Sequence, residues 1–132
     1  MDLEILNIAA DTENNRNLGK HTHFSKLRNS ICGDEIQIKL IIKDDEIIDF
    51  AYQGQSCVYC QASVSLLSKI SKNKKKDSIN ELCDYAASFF NGNLKIIDKK
   101  WVLFKKLFNK KNLSRKDCIL LPFKTLKKIV ST

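Results

Sequence analysis

The sequence predicts an α+β fold, in which a small antiparallel sheet of about three strands carries helices packed on one face. Apolar and polar residues alternate through residues 35–42, as in a half-buried strand, and a polar turn follows at residues 44–46. Beyond residue 57 the apolar positions instead repeat at helical spacing. Because the strands come first and the helices after them, the helices are expected to be segregated on one side of the sheet.

The strands are predicted in the first half of the chain. Residues 34–53 are predicted to form an antiparallel hairpin, with its second strand running from Ile47 to Tyr52. Gly54-Gln55-Ser56 is expected to end that strand, and an earlier strand around residues 24–29 can pair with the hairpin.

Five helical segments are predicted around this hairpin. They are a short N-terminal helix with Leu3, Ile5, Leu6 and Ala9 on its apolar stripe, a helix from near Cys57 to Ser71, a helix capped by Asp77 or Ser78 that ends at Asn91, an amphipathic segment from Trp101 to Phe108, and a last helix that begins near Cys118 with Pro122 in its first turn.

Length and composition predict one soluble domain, residues 1–132. A chain of this length can bury a core without disulfide staples, and no apolar run is long enough for a membrane span. The acidic N-terminus is unlike a secretory signal, so we expect a cytoplasmic protein whose five cysteines stay reduced. Membrane partners are not expected.

The net charge of +8 is concentrated in two stretches, residues 72–76 and 95–116. The second holds nine Lys or Arg against one Asp. Such a segment can bind nucleic acid or an acidic protein surface. Nucleic acid is the less favoured partner, because no basic strand carries interleaved aromatic residues that would stack on bases.

Three cysteines lie where one predicted element gives way to the next: Cys32, Cys57 and Cys118. The predicted helix starts at Cys57 and Cys118 favour thiolates, because the positive end of the helix dipole lies beside the sulfur. Asp34 follows Cys32 by two residues, and Gly33 between them gives the backbone freedom to turn. Together these four side chains offer three sulfurs and one oxygen, a tetrahedral set suited to zinc or iron.

The other cysteines have more ordinary interpretations. Cys83 falls inside a predicted helix among apolar residues, so we expect a buried core position. Cys57 and Cys60 form a C-x-x-C pair, which also occurs in thiol oxidoreductases and in zinc ribbons. Neither context fits well, because there is no second C-x-x-C and no βαβ unit.

Four stretches of this chain resemble the motifs of the U-type iron–sulfur cluster scaffold family, which comprises the NifU N-terminal domain, IscU and SufU. They are Arg16-Asn17-Leu18-Gly19, Ile31-Cys32-Gly33-Asp34, Cys57 followed by Ala62-Ser63-Val64-Ser65, and Arg115-Lys116-Asp117-Cys118-Ile119-Leu120-Leu121. The resemblance covers nearly the whole chain and implies the SufE/NifU-like fold.

Within that family the chain resembles the SufU-like branch. Cys57 and Cys118 are 61 positions apart, and the extra length falls in residues 95–113, where SufU-like members carry an insertion. IscU-like members have a His directly before the last cysteine, whereas this chain has Asp117. The resemblance therefore implies Cys32, Asp34, Cys57 and Cys118 as ligands.

The resemblance also implies a function. It is that of a scaffold or carrier rather than an enzyme, which accepts persulfide sulfur from a cysteine desulfurase and binds zinc, iron or a transient [2Fe–2S] cluster. Cys118, with Arg115 and Lys116 nearby, is the predicted sulfur acceptor, and apo iron–sulfur proteins are the implied recipients.

Two other classes of function remain open from the residues themselves. The charge and the cysteines together also suit a small zinc-stabilised nucleic-acid-binding module, which steeply salt-dependent binding would reveal. A thiol oxidoreductase would use Cys57 and Cys60, and would keep its activity after Cys32 and Cys118 were both replaced.

Overall fold

The computed structural model describes residues 2–31, 33–93 and 99–132. They form four α-helices, three strands and two 3₁₀ segments, here η1 and η2. The bounds are α1 Leu3–Ala10, β1 His23–Arg28, β2 Glu35–Lys43, β3 Glu46–Gln55, α2 Val58–Ser71, α3 Lys76–Phe90, η1 Lys99–Lys106, η2 Lys110–Arg115 and α4 Lys116–Val130. None of the helices in these ranges has the length and apolar character needed to cross a membrane.

The three strands form one antiparallel sheet in the order β1-β2-β3. Alternate residues of β2, namely Ile36, Ile38 and Leu40, are almost completely buried, while the intervening residues are only partly covered. Helices α2 and α4 contact the sheet, and α1 and α3 pack against them. The predicted α+β fold with helices on one face is therefore confirmed.

The predicted hairpin is present, and its second strand, β3, is longer than predicted. Asp44 and Asp45 both have positive φ, 53° and 62°, which closes β2 onto β3 through a two-residue turn whose twist suits a hairpin.

Gly54 was expected to break β3, but the strand continues to Gln55. A Cβ at Gly54, whose φ is +155°, would lie 2.1 Å from the carbonyl oxygen of Glu35. Glycine is what allows the two backbones to approach this closely.

Two helix details differ from the predictions. In α1, Ile5 and Ala9 are buried, but Leu3 is 74 % exposed and Leu6 is 38 % exposed, so the buried face is narrower than the apolar stripe. Helix α3 begins at Lys76 rather than after a cap at Asp77 or Ser78. The reason is tertiary, since the backbone N–H of Lys76 donates to the carbonyl of Asp45 and thereby ties the helix start to the hairpin turn.

The segment from residue 101 to residue 108 is buried on its predicted side but is largely 3₁₀ rather than α-helical. Trp101, Phe104 and Phe108 are buried, and the ring of Phe104 lies 5.4 Å from that of Phe108 and 5.7 Å from that of Phe123 in α4. This aromatic contact fixes η1 against the helices. The part of the basic segment at residues 95–98 lies outside the described residues.

Helix α4 starts two residues before Cys118, so the predicted helix start is confirmed to within a turn. Pro122 lies in the second turn and not in the first. Its ring nitrogen has no hydrogen and so cannot make the helical bond to the Cys118 carbonyl. Because α4 is buried on most sides from Cys118 to Val130, packing compensates for the missing hydrogen bond.

Candidate metal centre

The structure brings together three of the four predicted ligands. A carboxylate oxygen of Asp34 and the Sγ atoms of Cys57 and Cys118 all lie within 4.8 Å of one another. Asp34 lies directly before β2, Cys57 is the N-cap of α2, and Cys118 is in the first turn of α4. Cys32, the fourth predicted ligand, lies outside the described residues. Within those residues, this is the one group of three or more potential ligands that could hold a metal ion.

Asp34 is held by one carboxylate oxygen only. The backbone N–H of Cys57 donates to its Oδ1 at 3.1 Å. Its Oδ2 is buried and has no hydrogen-bond partner among the described residues, although Asp34 is only 7 % exposed. A buried carboxylate oxygen without a partner costs free energy that a bound cation would recover.

The donor set fits zinc or iron. Two thiolates and a carboxylate oxygen are ligands that both metals accept. Ligand atoms about 2.3 Å from a tetrahedral ion lie about 3.8 Å apart, so the present separations need to shrink by no more than about 1 Å.

The loop before Asp34 is closed by its own backbone. The N–H of Asn29 donates to the Asp34 carbonyl at 2.7 Å, and the N–H of Gly33 donates to the Asn29 carbonyl at 2.8 Å. Gly33 has a φ of +77°, a conformation that most side chains avoid. The freedom that the sequence predicted for this glycine is used to turn the chain just before Asp34.

The two thiols differ in exposure. Cys57 is partly exposed, and its side chain makes no capping hydrogen bond at the start of α2. Cys118, the predicted sulfur acceptor, is only 9 % exposed. It borders a cavity of about 150 Å³, which Asn29, Ile31 and Arg115 also line.

Two contacts that the sequence did not reveal hold the cysteine-bearing helices together. Ser63 is fully buried, and its hydroxyl donates to the Ile119 carbonyl of α4 at 2.7 Å. Near the helix starts, the Arg115 guanidinium lies 5.3 Å from the centre of the Tyr59 ring, a cation–π contact. The first contact could have been suspected from the sequence, because Ser63 is a serine on an otherwise apolar helix face. Nothing in the sequence indicated the contact between Arg115 and Tyr59.

The remaining described cysteines lie away from solvent. Cys60 is fully buried in the hydrophobic core, which leaves it poorly placed as the second thiol of a surface dithiol. Cys83 is 3 % exposed, and burial raises the pKa of its thiol to about 12. The predicted core position of Cys83 is confirmed.

The motif that begins at Arg16 anchors the loop after α1. Arg16 pairs with Asp49 of β3 at 2.6 Å, and its backbone N–H donates to the Tyr52 carbonyl. Burial tends to raise the pKa of Asp49, but the Phe50 N–H and the Arg16 guanidinium outweigh it and lower that pKa below its usual value. Arg16 therefore contributes to the fold through contacts with β3 rather than through contacts with the predicted ligands.

Comparison with known proteins decides the family. Residues 5–87 match the sequence profile of the NifU-like N-terminal domain, and the matched range includes Asp34 and Cys57. The chain belongs to the NifU-like N-terminal domain family. The family membership predicted from the motifs is thus confirmed.

Relatives of this NifU-like protein extend the match beyond residue 87. It is 32 % identical over 114 residues to an uncharacterized protein of Borreliella burgdorferi, covering 86 % of this chain and 79 % of the relative. It is 30 % identical over 129 residues to the iron–sulfur cluster assembly scaffold protein IscU of Thermotoga maritima, covering 93 % of this chain and 87 % of that protein.

The fold of the NifU-like chain also matches a crystal structure. That structure is of a protein from Fervidobacterium islandicum described as a candidate iron–sulfur cluster assembly scaffold for the SUF system. The TM-score is 0.90 at 22 % identity, covering 97 % of this chain and 94 % of the other. At this identity the likeness establishes the fold.

Proposed function

We propose that this NifU-like protein is a SufU-like iron–sulfur cluster assembly scaffold that accepts sulfur from a cysteine desulfurase. The observation that carries the proposal is the buried Oδ2 of Asp34, without a hydrogen-bond partner among the described residues, at a site where the Asp34 carboxylate meets the sulfurs of Cys57 and Cys118. A purely structural aspartate would be expected to have both oxygens satisfied. The name of the Thermotoga relative supports the same function.

Asp34, Cys57 and Cys118 are proposed to hold zinc or iron, with Cys32 as the fourth ligand. Bound there, iron and sulfide would form the [2Fe–2S] cluster that is the cargo of the scaffold. One oxygen ligand among sulfurs makes the set less tightly binding for soft metals than four thiolates, which suits release of the cargo.

Sulfur acceptance is proposed to occur at Cys118. Its thiolate would attack the outer sulfur of the desulfurase persulfide, the S–S bond would break, and the desulfurase cysteine would leave as a thiolate. This transfer involves no net oxidation or reduction. The cavity beside Cys118 provides the access, because the thiol itself is largely buried.

The desulfurase is proposed to dock on the basic segment, residues 95–116. In its described part, Lys99, Lys105, Lys110 and Lys116 are exposed, and the apolar side chains of Val102 and Leu103 are about half exposed. A mixed basic and apolar surface suits an acidic partner surface with an apolar centre. The recipients of the cargo would be apo iron–sulfur proteins.

Residues 1–132 are proposed to act as one domain in the cytoplasm, where thiols stay reduced. The protein would function as a carrier and not as an enzyme in its own right.

The proposal is tested by measuring zinc, iron and acid-labile sulfide in anaerobically purified protein. We expect stoichiometric metal in the wild type and in the core control Cys83→Ala, and loss of metal in Asp34→Ala, Cys57→Ala and Cys118→Ala. If the wild type stays free of metal and sulfide even after reconstitution, the scaffold function is wrong.

Sulfur acceptance is tested separately, with ³⁵S-labelled cysteine and the desulfurase. Label should reach the wild type, Cys32→Ser and Cys57→Ser but not Cys118→Ser. Labelling of Cys118→Ser at the wild-type rate would contradict the proposed acceptor.

A further inference from the structure

A second cavity lies beside the one that Cys118 borders. It measures about 270 Å³ and is lined by Arg28 at the end of β1, by Lys124 of α4 and by the side chains between them. Asn29, Ile31 and Asp117 line both cavities, so the two form one groove between the loop at residues 27–31 and helix α4.

Two positive charges in this groove, those of Arg28 and Lys124, are not used by the fold. Among the described residues, neither the Arg28 nor the Lys124 side chain has a hydrogen bond or an ion pair. Asp117 lines both cavities and supplies one negative charge, while Arg115 beside Cys118 is in the cation–π contact with Tyr59. Arg28 and Lys124 together with Asp117 match a small molecule that carries a carboxylate and an ammonium group.

The cavity volume limits the size of the molecule that can bind. A volume of about 270 Å³ is below the range of about 300–1,000 Å³ that is typical of drug-sized ligands. Cys118 and Lys124 are six helical residues apart, which corresponds to about 9 Å along α4. Asp117 and Lys124 are seven residues apart, so they lie within about 20° of one another around the helix axis and share the face of α4 that lines this cavity. A volume of about 270 Å³ is large enough for an amino acid of the size of cysteine.

We propose that this groove binds a small thiol that carries a carboxylate, such as free cysteine, and that the thiol releases the sulfur held on Cys118. The inference rests on the proposed function, in which Cys118 carries a persulfide. Arg28 and Lys124 bind the carboxylate, Asp117 binds the ammonium group, and the thiol points towards Cys118.

The chemistry balances with two thiols. The thiolate of the first attacks the Cys118 sulfur, the persulfide S–S bond breaks, and hydrosulfide leaves while a mixed disulfide forms on Cys118. A second thiol attacks that mixed disulfide, which restores the Cys118 thiolate and yields the disulfide of the small thiol. Two thiols are oxidised, and the outer sulfur is reduced to sulfide beside the proposed metal ligands.

Binding is tested with S-methyl-L-cysteine, which has the carboxylate and the ammonium group but cannot reduce a persulfide. Titration followed by NMR should shift backbone resonances of residues 27–31 and 117–124. Arg28→Gln and Lys124→Gln should each raise the Kd at least fivefold, whereas the control Lys43→Gln at the far end of β2 should not. Absence of shifts, or equal Kd values in all four proteins, would overturn the site.

Release is tested on protein whose Cys118 has been loaded by the desulfurase. Sulfide should appear several-fold faster with cysteine than with cysteamine, which lacks the carboxylate, at equal thiolate concentration. Arg28→Gln and Lys124→Gln should remove that advantage, and Lys43→Gln should keep it. Equal rates for the two thiols on wild type would overturn the releasing role. If no persulfide forms on Cys118, the proposed function fails, and the NMR titration still decides whether the groove binds the ligand.

Discussion

The backbone N–H of Cys57 donates to Oδ1 of Asp34 at 3.1 Å. The other carboxylate oxygen of Asp34, Oδ2, is buried and has no hydrogen-bond partner in the described structure. The start of α2 thus positions a carboxylate that the protein alone does not satisfy. A cation held with Cys57 and Cys118 would complete it.

Replacement of Asp34 by Asn should separate metal binding from folding. Without metal, Asp34→Asn should be as stable as the wild type or more stable by about 1 kcal/mol, because a buried charge is removed and the amide can still accept from Cys57. Zinc affinity should fall at least tenfold. Urea unfolding with and without zinc measures both effects, and a variant that is stabilised by zinc as strongly as the wild type would contradict the assignment.

Loss of the Ser63 hydroxyl should weaken the metal site indirectly. Ser63→Ala removes the bond to the Ile119 carbonyl that ties α2 to α4, and should cost about 1–3 kcal/mol of stability. It should also lower zinc affinity, because the separation of Cys57 and Cys118 is no longer fixed.

Ser65→Ala is the matched control for Ser63→Ala. The Ser65 hydroxyl donates to the Asp11 carbonyl beyond α1, away from the ligands. It should cost similar stability in urea unfolding and leave zinc affinity unchanged in a competition titration. Equal affinity losses in the two variants would show that general loosening, and not the α2–α4 tie, is responsible.

Gly54→Ala should disrupt the hairpin. The new Cβ would meet the Glu35 carbonyl oxygen at 2.1 Å, so the strands must separate next to Asp34, at a cost of about 1–3 kcal/mol. Gly19→Ala, where no atom lies within 4 Å of the new Cβ, should change stability by no more than about 0.5 kcal/mol. Thermal unfolding of both variants checks the contrast, and equal melting temperatures would contradict it.

Cys83 should make the protein sensitive to alkali. Burial raises the pKa of its thiol from 9.0 to about 12, so the unfolded chain releases this proton at a lower pH than the folded protein does. The stability that the buried, neutral thiol contributes is complete below pH 9 and is lost as the pH rises from 9 towards 12. Urea unfolding across this range should show a smaller loss of stability for Cys83→Ala than for wild type. The lysines titrate in both proteins, so the difference between the two curves reports on the thiol alone. Parallel curves would contradict the raised pKa.

Charge reversal in the basic segment should weaken activation by the desulfurase. Lys105→Glu with Lys110→Glu should lower activation several-fold at low salt, and the difference should vanish at high salt, because long-range attraction is screened. Lys20→Glu with Lys43→Glu changes the net charge equally on another part of the chain. Desulfurase rates measured against salt concentration test this, and equal effects of the two pairs would remove the docking proposal.

The fold class, the hairpin and the family could be predicted from the sequence, because local patterns of residues specify them. The alternation of Ile36, Ile38 and Leu40 with more polar residues predicts which face of β2 is buried. The residues around Asp34 and Cys57 carry the family motifs. Packing of α2 and α4 against the sheet decided the rest. Packing placed Cys57 and Cys118 beside Asp34, whose Oδ2 has no hydrogen-bond partner among the described residues. It also buried Cys60 in the core and tied the start of α3 to the hairpin turn. Distances between residues far apart in the chain depend on how whole elements pack, and no local pattern records them.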